Sequence, residues 1–161
     1  MAKSVKAYAD KDVPLAGYLT LMATYAAVFG SLSYLSHKNK KTFVRPKGGD
    51  LVVLTIASYK ISRVVTMSFI GSPLRAPFTK RGKSLPGGEV QDESRGEGLQ
   101  RAVGNLLTCP FCFSVWSSTI VTFGYIFAPR ATLQAAYILS MAAADDVLNT
   151  SWRALRETFA Q

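Results

Sequence analysis

The stretch from Pro14 to Leu35, PLAGYLTLMATYAAVFGSLSYL, carries no charge, and this constrains the chain more than any other feature. About twenty helical residues at about 1.5 Å each cross a hydrocarbon core of about 30 Å. The run is too long for the apolar part of a cleaved signal and ends without a small-x-small site, so it reads as an uncleaved signal anchor over 14–35. Gly17, Ala23, Ala26, Ala27, Gly30 and Ser31 give it small faces on which another helix can pack closely. The chain has 19 Lys and Arg and 10 Asp and Glu in 161 residues, yet 48% of it is hydrophobic and its mean hydropathy is +0.15. These values fit together only if charges are segregated from apolar runs, as in a membrane protein. The length allows a single domain, 1–161. Disorder is excluded for most of the chain by its hydrophobicity, and a disulfide-stapled secreted domain by its two cysteines.

Further along, residues 51–70 form an amphipathic membrane helix. Thr55, Tyr59, Lys60, Ser62, Arg63 and Thr66 share one arc, and Leu51, Val53, Leu54, Ala57, Ile61, Val64, Val65 and Phe69 the other. A charge at the bilayer centre costs about 2.5–3.5 kcal/mol, so this helix either lies in the interface or turns Lys60 and Arg63 toward protein. Pro73 and Pro77 then stop the helix, and 75–98 reads as a polar, solvated loop. A short amphipathic helix from Leu99 to Leu107 leads to a helical hairpin over 111–128 and 131–149, followed by an amphipathic tail. The fold class expected is all-α: a small helical membrane protein with three transmembrane helices and one interfacial or half-buried helix, the alternative being four crossings.

The net charge of +9 suggests anionic lipid headgroups as partners. Nucleic acid is not expected, because no recognition motif accompanies the basic residues. Three lysines precede the first segment and five Lys or Arg follow it, while Arg130 stands alone in the hairpin turn. With three crossings, the cation count favours an external N-terminus, with the basic loops and the C-terminus cytoplasmic.

Two groups of residues can carry chemistry. Cys109 and Cys112 form a CPFC motif with three readings. Pro110 starts a helix and the cysteines only pack; or they supply two thiolates to a zinc shared with another copy or partner; or they exchange disulfides from a helix N-terminus. A cytoplasmic position argues against a standing disulfide. The second group is Lys60, Arg63, Asp145 and Asp146, expected to pair within the membrane, because unpaired charge there is costly. His37 is isolated and reads as an ordinary interface residue. No P-loop, dinucleotide fingerprint or Ser/His/Asp set is visible, so no enzyme and no cofactor are expected, zinc at the cysteines aside.

YKISR (Tyr59–Arg63), SPLRAPF (Ser72–Phe78), RGEGLQRAVGNLLTCPFCFSVW (Arg95–Trp116), FAPR (Phe127–Arg130) and AADD (Ala143–Asp146) together resemble a family of small bacterial integral-membrane proteins, the domain of unknown function 1360 or YjcA-like family. The resemblance spans about Pro14 to Ala154. It implies Arg63, Pro73, Arg75, Gly104, Cys109, Pro110, Cys112, Trp116 and Asp145 as motif positions and a bacterial cytoplasmic (inner) membrane location. It implies no activity. Asn105 stands where the family often has Glu, and Asp146 where it often has an apolar residue. The function expected is a non-enzymatic accessory, scaffold or assembly subunit that meets other membrane subunits or itself. The alternatives are a thiol redox or thiol-metal protein and a small transporter or channel component.

Overall fold

The computed structural model describes residues 13–41 and 45–159. Their elements run α1 (Leu15–Lys38), α2 (Gly48–Met67), a 3-10 turn (Phe69–Gly71), α3 (Ser72–Arg75), β1 (Thr79–Leu85), β2 (Glu89–Ser94), α4 (Gly98–Thr108), α5 (Pro110–Phe127) and α6 (Pro129–Phe159). The fold is mostly helical, with six α-helices and one antiparallel strand pair among the described residues. Two helices, α1 and α5, are long and apolar enough to cross a membrane.

Side-chain pairings fix the helix directions. Tyr18 meets Asn105, Tyr25 meets Trp116 and Phe29 meets Phe123, so α1 and α5 run the same way. Ser58 meets Ser117 and Ser62 meets the Pro110 carbonyl, so α2 runs against α5. Ser140 donates to the Val53 carbonyl and Lys60 reaches Asp146, so α6 runs with α2. The four long helices therefore alternate up and down. One end of the bundle carries the strand pair, α4 and the start of α5; the other carries Lys38, Lys40, Lys41, Arg45, Lys47 and Arg130.

Of the two expectations for the second helix, an interfacial position or a charged face turned toward protein, the structure takes the second: α2 is the centre of the bundle, packed between α5 and α6, with Lys60 turned to α6 and Arg63 to the hairpin. Leu54, Ala57, Val121 and Ala136 form the core, with Val53, Ile61, Tyr125, Leu133 and Leu139 around it. Its buried face also holds Ser58, Ser62 and Thr66, while Leu51, Val52 and Ile56 stay exposed. Hydroxyls inside and aliphatics outside suit helix association in lipid, where small polar residues bond across contacts. Ser58 Oγ lies 3.0 Å from Ser117 Oγ and from Ser118 Oγ, and Ser62 Oγ donates to the Pro110 carbonyl at 2.6 Å.

Three expectations change. The stretch 75–98, expected to be a loop, holds a β-hairpin, paired from Thr79 with Ser94 to Leu85 with Glu89 around Pro86-Gly87-Gly88. Gly87 and Gly88 have φ of 85° and 77°, which explains two glycines at the turn. The fourth segment and the tail are one 31-residue helix, α6. Along α1 the small residues Ala23, Ala26, Ala27, Gly30 and Ser31 face no other helix among the described residues, and only Gly17 is buried, against Ala102 and Gly98 of α4. The lysines before α1 lie outside the described residues.

Candidate functional site

The polar end of the bundle gathers the charged motif residues and the cysteines. Its anchor is Arg75. Helix α2 ends at Ser68, which turns extended with ψ 147°, and Pro73 sits in the first turn of α3, where its missing N–H costs nothing. This corner carries the Arg75 guanidinium back beneath the end of α2. Nη1 donates to the carbonyls of Val65 at 2.7 Å and Ser68 at 3.0 Å, and Nη2 to Ser72 Oγ at 3.3 Å. Nε donates to Asp92 Oδ2 on β2 at 2.9 Å. The other Asp92 oxygen accepts the Gly82 N–H at 3.2 Å, at the irregularity where β1 bulges between Lys80 and Lys83. The two side chains are 0% and 6% exposed, so this ion pair is dry. One guanidinium thus caps the carbonyls left over at the end of a helix and ties that end to the hairpin.

Two further ion pairs surround it. Lys60 Nζ lies 2.5 Å from Asp146 Oδ2, joining α2 to α6. Arg63 pairs with Glu89 at the start of β2 through Nη2 and, at 3.1 Å, through Nε, and it sits over the Tyr59 ring at 5.8 Å. The expected cluster is therefore divided. Lys60 and Asp146 come together, but Arg63 turns to the hairpin and away from the aspartates. Asp145 is exposed, with no hydrogen-bond or ion-pair partner among the described residues. A polar cavity of about 560 Å³ opens between the hairpin turn, α2 and α6, lined by Lys60, Arg63, Glu89, Asp146 and Arg153. Asp146→Asn should lower stability by about 0.5–1 kcal/mol, discounted because the carboxylate is 59% exposed. Asp145→Asn should stay within about 0.5 kcal/mol. Thermal unfolding of both variants in the same detergent checks the asymmetry.

The cysteines lie at the junction of α4 and α5. Cys109 is the N-cap of α5 and Pro110 its first residue; Cys109 Sγ accepts the Cys112 N–H at 3.2 Å. The pair is joined as a disulfide with Cα atoms 5.2 Å apart. Cys112 is exposed, Cys109 half-buried, and Phe111 between them is 88% exposed. No group of three His, Cys, Asp or Glu suited to a metal occurs among the described residues, so a zinc here would need ligands from elsewhere. The motif opens onto a groove of about 610 Å³ between α2 and α5, lined near the cysteines by Thr108, Pro110, Phe111 and Ser114 and farther along by Leu54 and Val121. Asn105 Nδ2 donates to Tyr18 OH at 2.6 Å, and Trp116 meets the Tyr25 ring edge-on, with centroids 5.2 Å apart. Both contacts dock α1. Gly104 faces the hairpin, where a Cβ would lie 2.5 Å from the Phe78 carbonyl oxygen.

Glu89 and Asp92, the partners of Arg63 and Arg75, are not visible as such in the sequence. The available signal was Pro86-Gly87-Gly88 between two polar runs, a hairpin turn that would have set Glu89 and Asp92 beside the end of α2.

The architecture defines a class: a helical protein with two helices long and apolar enough to cross a membrane, whose α2–α6 unit is closed at one end by an ion-paired hairpin. Residues 53–152 match the family described as protein of unknown function (DUF1360), and the chain belongs to it. The match takes in most of α2 and runs into α6, and leaves α1 outside. Among curated proteins, the chain is similar to UPF0713 protein YngL of Bacillus subtilis (strain 168), 29% identical over 62% of this chain and 75% of that protein. It is also similar to the sporulation protein YjcA of the same organism, 26% identical over 64% of this chain and 90% of that one. No solved structure matches.

Proposed function

We propose that this chain is an accessory or assembly subunit of a larger membrane complex, with the second half of α6 as its docking element. The observation that carries this reading is an apolar seam without a partner in the chain. Leu148, Trp152, Leu155 and Phe159 recur at steps of four, three and four, and are 67%, 62%, 52% and 85% exposed. That spacing is the one by which two helices pack side by side. All residues of α6 from Ala144 onward are exposed, so the helix leaves the bundle and presents this stripe beyond it. The exposed carboxylate of Asp145 stands at the base of the stripe. The relative named a sporulation protein makes a complex built during sporulation the first place to seek the partner.

Four crossings suit this subunit better than three. Helix α2 spans about 30 Å, runs against α5 along its length, and turns aliphatics outward and hydroxyls inward. The end bearing Lys80, Arg81, Lys83, Arg95, Arg101, Arg153 and Arg156 then outweighs the end bearing Lys38, Lys40, Lys41, Arg45, Lys47 and Arg130. The positive-inside rule then favours a cytoplasmic hairpin end, with the start of α1 and the end of α6 on the same side.

The test is a photoreactive side chain at position 155 in native membranes. One discrete adduct is expected, and Leu148→Asp with Trp152→Asp should abolish it while the bundle still folds. A chain that purifies as a monodisperse monomer and gives no adduct overturns the reading.

A further inference from the structure

We infer that Cys109 and Cys112 form a thiol–disulfide exchange site at the membrane surface, whose substrate is a disulfide of another protein. This goes beyond the docking reading and does not depend on it.

Two sulfurs sit across the first turn of an 18-residue helix, with Cα atoms close enough for a disulfide. Their surroundings differ. Cys109 Sγ lies at the helix N-terminus and accepts the Cys112 N–H, so both the hydrogen bond and the helix dipole favour its thiolate. Pro110 contributes no N–H, which leaves that of Cys112 directed at the sulfur. Cys112 Sγ lies within disulfide reach of Cys109 Sγ, so it can resolve a mixed disulfide formed there. Pro110 and Phe111, which stand between the cysteines in sequence, line the groove between α2 and α5, and the protruding Phe111 gives an incoming extended segment an apolar contact next to the sulfurs. The frame stays fixed through the cycle. The Pro110 carbonyl is held by Ser62 of α2, and α4 is locked on the hairpin through Gly104, so the sulfurs change state on a rigid corner.

The exchange balances without a further reactant. The Cys109 thiolate attacks one sulfur of the substrate disulfide, and the other substrate sulfur leaves as a thiolate. Cys112 then loses its proton to water and attacks Cys109 Sγ. The Cys109–Cys112 disulfide forms, and the second substrate sulfur leaves as a thiolate. Two electrons pass from the cysteine pair to the substrate, and the substrate thiolates take up protons. The joined cysteines are the oxidised form of this cycle.

The test uses the full chain in lipid nanodiscs, with oxidised glutathione as the disulfide probe. Reduced Cys112→Ser protein, which keeps Cys109, should form the glutathione mixed disulfide at pH 6.5 about tenfold faster than Cys109→Ser protein, and the difference should vanish on denaturation. The unsubstituted protein should pass through to the internal disulfide without accumulating the adduct, as shown by intact mass. Equal rates in the two folded variants overturn the inference. So does stoichiometric zinc on the reduced protein, which would make the pair half of a shared metal site.

Discussion

Replacing Arg75 with Met should cost about 3–5 kcal/mol, because it leaves the Asp92 carboxylate buried without its cation. The same substitution frees the carbonyls of Val65 and Ser68 at the end of α2. The expected readout is a large fall in thermal midpoint in detergent, with protease cleavage inside 79–94. Arg75→Lys should recover little of the loss. A lysine keeps the charge but lacks the fork that serves two carbonyls, a hydroxyl and a carboxylate at once. The decisive comparison is the double variant Arg75→Met with Asp92→Leu. It removes both charges together and should be more stable than Arg75→Met alone. A double variant no better than the single would show that carbonyl capping, and not the buried carboxylate, dominates.

Helices α1 and α5 were legible because each is a long apolar run almost free of charge, a pattern that shows in a window of about twenty residues. The burial of Lys60 and its need for an acid were legible for the same reason: a cation amid aliphatics has few options. For α2 the cost of charge in lipid allowed the central position, with Lys60 and Arg63 turned toward protein, but nothing in the sequence marks the hydroxyl face as the packed one. On an aqueous surface Ser62 and Thr66 face outward, but here they are 2% and 1% exposed: Ser62 bonds the Pro110 carbonyl across to α5, and Thr66 bonds the Ser62 carbonyl within α2. The strands were missed because neither carries an alternating apolar pattern. Only Thr79 in β1 and Val90 in β2 are buried. The hairpin is held by its glycine turn, a local signal, and by Asp92, whose partner Arg75 lies 17 residues away in sequence. Once the hairpin is missed, Arg63 has only the aspartates of α6 to reach for. The error in its partner is a consequence of the first.

Gly104 offers the second large effect, and one that joins the scaffold to the cysteines. A Cβ there would lie 2.5 Å from the Phe78 carbonyl oxygen and 2.9 Å from Ser94 Cβ, both parts of the hairpin that cannot swing away as a flexible side-chain end does. Gly104→Val must therefore push α4 off the strands. The cost is expected at about 1–3 kcal/mol, typical of overpacking. Helix α4 ends at Thr108, one residue before Cys109, so the displacement passes directly into the N-terminus of α5. Gly104→Val should thus lower the thermal midpoint and also narrow the rate difference between the two cysteines, measured in the Cys112→Ser and Cys109→Ser backgrounds. Gly30→Val is the matched control. Its Cβ meets nothing within 4 Å, on the outer face of α1, so stability should hold within about 0.5 kcal/mol and the cysteine rates should not move. If Gly104→Val lowers stability but leaves the rates unchanged, the corner does not position the sulfurs, and the exchange site rests on the helix end alone.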